Sequence, residues 1–142
     1  MGADPGREMI AVLADSSFWM GLRHPRDQYH QRATRIARDL LSQRTTLVVT
    51  PLIFAEVHAT FSRMRLLRER VIRDFWENAA VHMEDVSHAD QCEAIELLRT
   101  YDDKEYSFCD ACSFVVMKRM GLRRAATFDD HFRQMGKFEV ID

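Results

Sequence analysis

The chain has 142 residues, 46% of them apolar and 30% charged, with a net charge of −2, five glycines and three prolines. This length and composition predict one globular domain and exclude a low-complexity chain. No apolar run approaches the roughly 18 residues of a transmembrane helix, and three cysteines without framework spacing predict reduced thiols in a cytoplasmic protein.

Residues 1–9 contain two acids and are followed by no long apolar stretch, a pattern unlike that of a signal peptide. We expect a disordered leader at 1–9, followed by a single domain over residues 10–142. No internal repeat divides the rest of the chain.

Strand and helix patterns alternate from residue 9 onwards. Apolar runs predict strands at 9–14, 46–50, 81–86, 124–128 and 138–141, of which the third is the weakest. Helical spacing of apolar residues predicts helices at about 27–44, 51–64, 68–79, 87–101 and 108–120, and a short helical turn at 18–20 closed by Gly21. The alternation predicts a three-layer α/β/α fold with a central parallel sheet of four to five strands.

Acids stand at the points where several of these elements begin or end. Asp15 and Asp129 directly follow predicted strands, so both are expected at the carboxyl edge of the sheet, where ligands bind in such folds. Glu56 and Asp110 lie early in helices that start at or near this edge. Four carboxylates at close range do not all stay ionised without a cation. Ligands that offer only oxygen select Mg²⁺ or Mn²⁺.

Each acid also has a structural interpretation that the sequence leaves open. Asp110 and Ser107 form the Ser-x-x-Asp pattern of a capping box, as Ser87 does with an aspartate three residues later. Glu56 is equally suited to a solvent-facing helix position, and Asp15 to capping the turn that follows it. For Asp129 and the adjacent Asp130 the alternative is a simple turn.

Four segments taken together resemble the PIN-domain family, and within it the VapC ribonuclease toxins of bacterial toxin–antitoxin pairs. The resemblance runs from Ile10 to Ile141 in the family's order. Its most specific part is the Tyr-Ser-Phe-x-Asp-x-x-Ser-Phe segment at residues 106–114. The other segments are Asp-Ser-Ser-Phe at 15–18, the glutamate at 56, and Thr-Phe-Asp-Asp-His-Phe at 127–132.

The resemblance implies an acidic catalytic quartet of Asp15, Glu56, Asp110 and Asp129. Asp15 and Asp110 would be the main metal ligands, with Glu56 and Asp129 beside them and Asp130 at most a helper. It implies a metal-dependent endoribonuclease, the toxin of a type II pair, in which bound Mg²⁺ or Mn²⁺ activates water to hydrolyse a structured rRNA loop or tRNA. A VapB-like antitoxin and a homodimer are implied as well. The alternative is a PIN-fold RNA-binding or scaffold module with little cleavage activity.

Several further residues carry expectations. Ser16 and Ser113 are expected to orient the carboxylates by hydrogen bonding. Cys109 and Cys112 flank Asp110, where they are either a redox pair with a lowered thiol pKa or small buried residues packed on the sheet.

The remaining aromatic and histidine side chains are expected to have structural roles. No histidine shows metal-ligand spacing. For His131 beside the acid pair the alternatives are contact with the substrate and a surface position, and we expect the surface position. Trp19 and Trp76 are expected in the core or in a dimer contact.

Arginines form a basic sector at residues 63–73, which holds five arginines and one glutamate. Arginine suits bidentate phosphate contacts, so this sector, with Arg123 and Arg124, is a candidate for binding the RNA backbone. Exposed helix charges, or a seat for an acidic antitoxin segment, explain the same arginines equally well.

Overall fold

Five parallel strands form one sheet. The structure, a computed structural model, describes residues 10–142, so the leader predicted at 1–9 lies outside the described residues. The strands are β1 (Ala11–Ala14), β2 (Thr46–Val49), β3 (Val81–Met83), β4 (Arg124–Ala126) and β5 (Glu139–Ile141). Their order across the sheet is β3-β2-β1-β4-β5, and every neighbouring pair is parallel. The predicted parallel sheet is confirmed, with five strands.

Seven helices cover the two faces of the sheet across the described residues: α1 (Ser16–Arg23), α2 (His30–Ser42), α3 (Pro51–Thr60), α4 (Arg65–Trp76), α5 (His88–Thr100), α6 (Phe108–Met120) and α7 (His131–Met135). From β1 to β3 the chain adds strands in one direction, and from β4 to β5 in the other. Right-handed crossovers therefore place α1 to α4 on one face and the later helices on the opposite face. This is the predicted three-layer α/β/α architecture.

The strand order reverses between β1 and β4, which lie side by side with Leu13 opposite Ala125 and Ala14 opposite Ala126. At such a reversal the loops that leave the two strands turn to opposite faces and open a crevice at the carboxyl edge. Asp15 follows β1 directly, and Thr127 follows β4. The topology thus places both residues at the crevice.

One local prediction was wrong, and one helix was missed. The turn expected at 18–20 is an eight-residue helix, α1, and Gly21 lies inside it instead of closing it. A Cβ at Gly21 would stand 3.3 Å from both the Phe128 ring and the Cβ of Tyr29, so glycine there allows close packing and does not end the helix. The five-residue helix α7 was not predicted, because so short a segment shows no helical period.

The core lies between the sheet and its two helical layers. Strand residues such as Val12, Leu13 and Val48 are fully buried, and the Trp19 ring packs beside Phe75. Trp76, in contrast, is 53% exposed, so it is not a core residue. Among residues 10–142 we find no helix of the length and apolar character that crossing a bilayer requires.

A buried ion pair fastens α1 to α4. The Arg23 guanidinium donates two hydrogen bonds to Asp74, whose side chain is 4% exposed, and Arg70 donates a third.

We expect D74A to lower the free energy of unfolding by about 3 kcal/mol, because it leaves the largely buried Arg23 charge without a partner. Urea unfolding measures this loss. The matched control E93A removes an exposed pair with Lys118 and should change stability by less than about 1 kcal/mol.

Candidate metal centre

The carboxylate of Asp15 is held at the end of β1 by hydroxyl groups. Its side chain is 2% exposed, and its Oδ2 accepts a hydrogen bond of 2.9 Å from the Thr127 hydroxyl. The Ser17 hydroxyl lies 3.4 Å from the same oxygen and 3.1 Å from Thr127 Oγ1. Asp15 occupies the N-cap position of α1, but its side chain makes no capping hydrogen bond. The capping interpretation of Asp15 is therefore wrong.

Asp110 caps a helix and also lines the crevice, so the two interpretations that the sequence left open do not exclude each other. Its backbone N–H donates to the Ser107 hydroxyl at 2.9 Å, and its Oδ2 accepts from the Ser107 N–H at 3.0 Å, which completes the capping box of α6. The same Oδ2 lies 2.6 Å from Nδ1 of His131. The cap thus fixes a carboxylate, 6% exposed, at the mouth of the crevice.

Glu56 reaches the crevice from the opposite helical layer. Thr50 caps α3 by accepting from the Ile53 N–H at 3.2 Å, and Pro51 opens the helix as predicted. This start brings Glu56, in the second turn, next to α1. Glu56 is exposed, as its structural interpretation required, yet its Oε1 accepts a hydrogen bond of 2.6 Å from Ser16. The predicted orienting role of Ser16 thus applies to Glu56.

The loop after β4 brings Asp129 and His131 to the same place. The Asp129 N–H donates to the Thr127 hydroxyl at 3.1 Å, and Asp129 Oδ1 accepts from the His131 N–H at 2.9 Å. Nδ1 of His131 lies 3.3 Å from Asp129 Oδ1. Asp130 is exposed and stands at the N-cap of α7.

The surface position expected for His131 is therefore wrong. Within residues 10–142, Asp110, Asp129 and His131 form the one set of three potential metal ligands whose donor atoms all lie within 4.8 Å of one another. The sequence signal that could have revealed this residue is the Asp-x-His spacing shortly after a predicted strand. This spacing brings the side chains of Asp129 and His131 together where helix α7 begins.

All four predicted acids line one crevice. Its walls are formed by Asp15, Ser16, Ser17, Met20, Glu56, Thr60, Ser107, Asp110, Asp129 and His131. Eight of these ten residues carry a carboxylate or hydroxyl group, and such oxygen donors suit a hard divalent ion. The residues present therefore fit the metal that the family resemblance implies.

The electrostatics of the crevice show an excess of negative charge. Burial, reinforced by the nearby charge of Asp110, raises the pKa of Asp15 to about 7, although the Thr127 hydrogen bond acts in the opposite direction. Burial also raises the pKa of Asp110, against the hydrogen bonds from Ser107 and His131. A bound divalent cation would offset both effects.

Three of the further expectations are settled by burial. Ser113 is buried, and its hydroxyl finds no hydrogen-bond partner in the described part of the chain, so its predicted orienting role is wrong. Cys109 and Cys112 are buried in the core. Burial raises the pKa of both thiols, that of Cys112 to about 11, which is opposite to the shift in a reactive redox pair.

The arginine candidates lie in different places. Arg123 and Arg124 are at the amino end of β4, whereas the acids gather at the carboxyl ends of the strands. The structure therefore does not bring these two to the crevice. In the basic sector, Arg70 pairs with Asp74, while Arg63 and Arg65 are exposed just beyond α3, whose last residue borders the crevice.

Comparison with known proteins gives a consistent result. The model of the PIN-domain family matches residues 12–138. The chain is 30% identical over 130 residues to VapC20 of Mycobacterium tuberculosis, a 23S rRNA-specific endonuclease, and this match covers 91% of the chain and 97% of VapC20. The crystal structure of VapC20, described as a Sarcin-Ricin loop cleaving toxin, superposes with a TM-score of 0.81 at 27% identity over 92% of this chain and 99% of VapC20.

Two more distant structures share the fold. FitAcB from Neisseria gonorrhoeae matches with a TM-score of 0.64 at 15% identity. VapBC2 from Rickettsia felis, bound to a promoter DNA fragment, matches with a TM-score of 0.67 at 11% identity. Each match covers 92% of this chain and 96% of the other. The family match and the VapC20 relative extend over nearly the whole chain, crevice included, and the chain therefore belongs to the PIN-domain family.

Proposed function

We propose that this protein is a metal-dependent endoribonuclease and the toxin of a type II toxin–antitoxin pair. The observation that carries the proposal is the meeting of Asp15, Glu56, Asp110 and Asp129 in one crevice, from four distant parts of the chain. A non-cleaving RNA-binding or scaffold module would not need this set, because crowded carboxylates destabilise a site that holds no cation.

The side chains of the crevice would divide the work. Asp110 and Asp15 would be the main metal ligands, with Asp129 at the open side. When bound, Mg²⁺ or Mn²⁺ supplies a water of lowered pKa and neutralises charge on the phosphodiester. Thr127 and Ser17 keep Asp15 in place, and Ser16 keeps Glu56 directed toward the crevice.

The relative with 30% identity suggests the substrate. Because VapC20 is specific for 23S rRNA, we infer that a structured loop of the large ribosomal RNA is the substrate here, with tRNA as the second candidate. A water nucleophile does not use the RNA 2′-hydroxyl, so the products should carry a 5′-phosphate and a 3′-hydroxyl.

Cleavage of total RNA by the purified protein tests this proposal. We expect one main cut in 23S rRNA, located by primer extension, that requires Mg²⁺ or Mn²⁺ and stops when the metal is chelated. Ligation of an adaptor to the new 5′ end measures the 5′-phosphate. A cyclic phosphate product would contradict a mechanism with metal-activated water. Cleavage of tRNA in place of 23S rRNA would make tRNA the substrate. RNA binding without cleavage would favour the scaffold module.

The toxin assignment also implies partners. An RNA target places the activity in the cytoplasm, and a toxin there requires a neutralising protein, for which we propose a VapB-like antitoxin encoded beside this gene. Two apolar residues of α4 are exposed, Leu66 to 85% and Trp76 to 53%. They support a protein contact, either with the antitoxin or within a homodimer. Growth arrest on expression, relieved by the neighbouring small gene, would support the antitoxin, and light scattering measures the oligomeric state.

A further inference from the structure

We propose that His131 is a nitrogen ligand of the metal centre and makes the site prefer a transition-metal ion such as Mn²⁺ over Mg²⁺. This inference rests on the proposed function and adds the metal selectivity of the same site. It departs from the all-oxygen ligand set that the sequence predicts, because a histidine joins two of the acids.

The first argument is distance. Nδ1 of His131 lies 2.6 Å from Asp110 Oδ2 and 3.3 Å from Asp129 Oδ1. One potential ligand atom from each of the three residues lies within 4.8 Å of the other two. Neighbouring ligands of an octahedral ion with bonds of about 2.1 Å are about 3 Å apart. The distances from His131 Nδ1 to the two carboxylate oxygens lie on either side of this value, so the three groups are close enough to share one ion.

The second argument is that the imidazole is held in this orientation. His131 is the first residue of α7, and its N–H donates to Asp129 Oδ1, so the backbone fixes the position of the side chain. The Tyr106 ring packs at 83° to the imidazole with 5.6 Å between the ring centres. The side chain is 24% exposed and lines the crevice. A ligand fixed in this way loses little conformational entropy when it binds.

The third argument is chemical. Mg²⁺ prefers oxygen ligands, whereas an imidazole nitrogen favours first-row transition ions. Asp15 lies outside the set of three donors, and its Oδ2 accepts a hydrogen bond from Thr127, which leaves Oδ1 for the ion. His131 would therefore add one nitrogen ligand to the oxygen ligands that the carboxylates supply.

Binding of Mn²⁺ and Mg²⁺ alone, without RNA, tests the assignment. In the wild type we expect pulsed EPR to detect nitrogen hyperfine coupling to bound Mn²⁺, and calorimetry to give at least about tenfold tighter binding of Mn²⁺ than of Mg²⁺. H131D restores an all-oxygen set. It should still bind metal, lose the nitrogen coupling, and lose most of the preference, a change of about tenfold or more.

The matched control is H82N. His82 also lies beside a carboxylate, 2.8 Å from Glu84, but it is not part of the crevice. H82N should keep both the nitrogen coupling and the metal preference of the wild type. Thermal melting confirms that each variant is folded.

The outcomes separate this inference from the proposed function. Mn²⁺ bound to the wild type without nitrogen coupling, or an unchanged preference in H131D, overturns the role of His131 and leaves the nuclease proposal standing. A wild type that binds neither ion overturns both. If RNA cleavage then continues in the presence of a chelator, the metal-dependent mechanism is wrong.

Discussion

Replacing Asp110 by asparagine is expected to reduce metal-dependent RNA cleavage by about 10³-fold or more in a protein that remains folded. A metal ion contributes several kcal/mol to the stabilisation of charge in the transition state, and each 1.36 kcal/mol corresponds to a factor of ten in rate. The asparagine carbonyl still accepts from the Ser107 N–H, so the start of α6 should survive. Single-turnover cleavage of the 23S rRNA substrate at saturating Mg²⁺ measures the effect.

S107A is the matched control, because it changes the other half of the same capping box. It removes the hydroxyl that accepts from the Asp110 N–H, at a cost of about 1 kcal/mol in stability, and leaves the carboxylate in place. Loss of stability with cleavage retained is the expected result. If D110N cleaves RNA as well as the wild type, Asp110 serves the helix alone and the proposed catalytic quartet is wrong.

Replacing Asp15 by asparagine is expected to stabilise the metal-free protein at pH 8 and to inactivate it. Burial and the charge of Asp110 raise the pKa of Asp15 to about 7, above its ordinary value, so the folded state holds this proton more tightly than the unfolded chain does. Stability is therefore lost as the pH rises from about 4 through 7. A neutral side chain avoids the loss and still accepts the Thr127 hydrogen bond.

Thermal or urea unfolding in the presence of a chelator measures this effect at two pH values. At pH 8 the gain for D15N is at most about 4 kcal/mol, since 1.36 kcal/mol corresponds to one pKa unit. At pH 4 the two proteins should differ little, because Asp15 is then largely protonated in the wild type. A D15N protein that is less stable at pH 8, or a difference independent of pH, contradicts the argument.

Metal binding should reverse the order of stability, so that the wild type becomes more stable than D15N. A divalent ion that binds only the folded state stabilises it by an amount that grows with the logarithm of the ratio of ion concentration to Kd. Mn²⁺ should therefore raise the melting temperature of the wild type more than that of D15N, which lacks one of the proposed ligands. The crevice would then be a site where carboxylates that destabilise the metal-free fold are kept because the cation and the reaction require them.

The sequence alone predicted the fold and the four acids because both depend on local patterns. Apolar runs of strand length alternate with helical periods, and right-handed crossovers leave few ways to arrange them. Asp15 follows β1 directly and Asp129 lies in the loop after β4, and strand ends in a parallel sheet share one edge. The capping box of Asp110 was equally visible, since Ser107 and Asp110 are three residues apart.

Tertiary contacts decided what these patterns do not encode. His131 reaches Asp110 across 21 positions in the chain, and Thr127 reaches Asp15 across 112, so no local spacing reveals either hydrogen bond. The burial that raises the pKa of Asp15 also depends on packing.

The sequence by itself thus determined the five strands and the longer helices, and which acids stand near their ends, but not the short helices α1 and α7. Only the folded chain decided how these acids are hydrogen-bonded and which of them lie beside a histidine. It also decided that Arg124 lies at the end of β4 opposite to the crevice. The physical reason is range. Periodicity and capping act over a few residues, whereas pKa values and ligand sets depend on every group that the fold brings within a few ångströms.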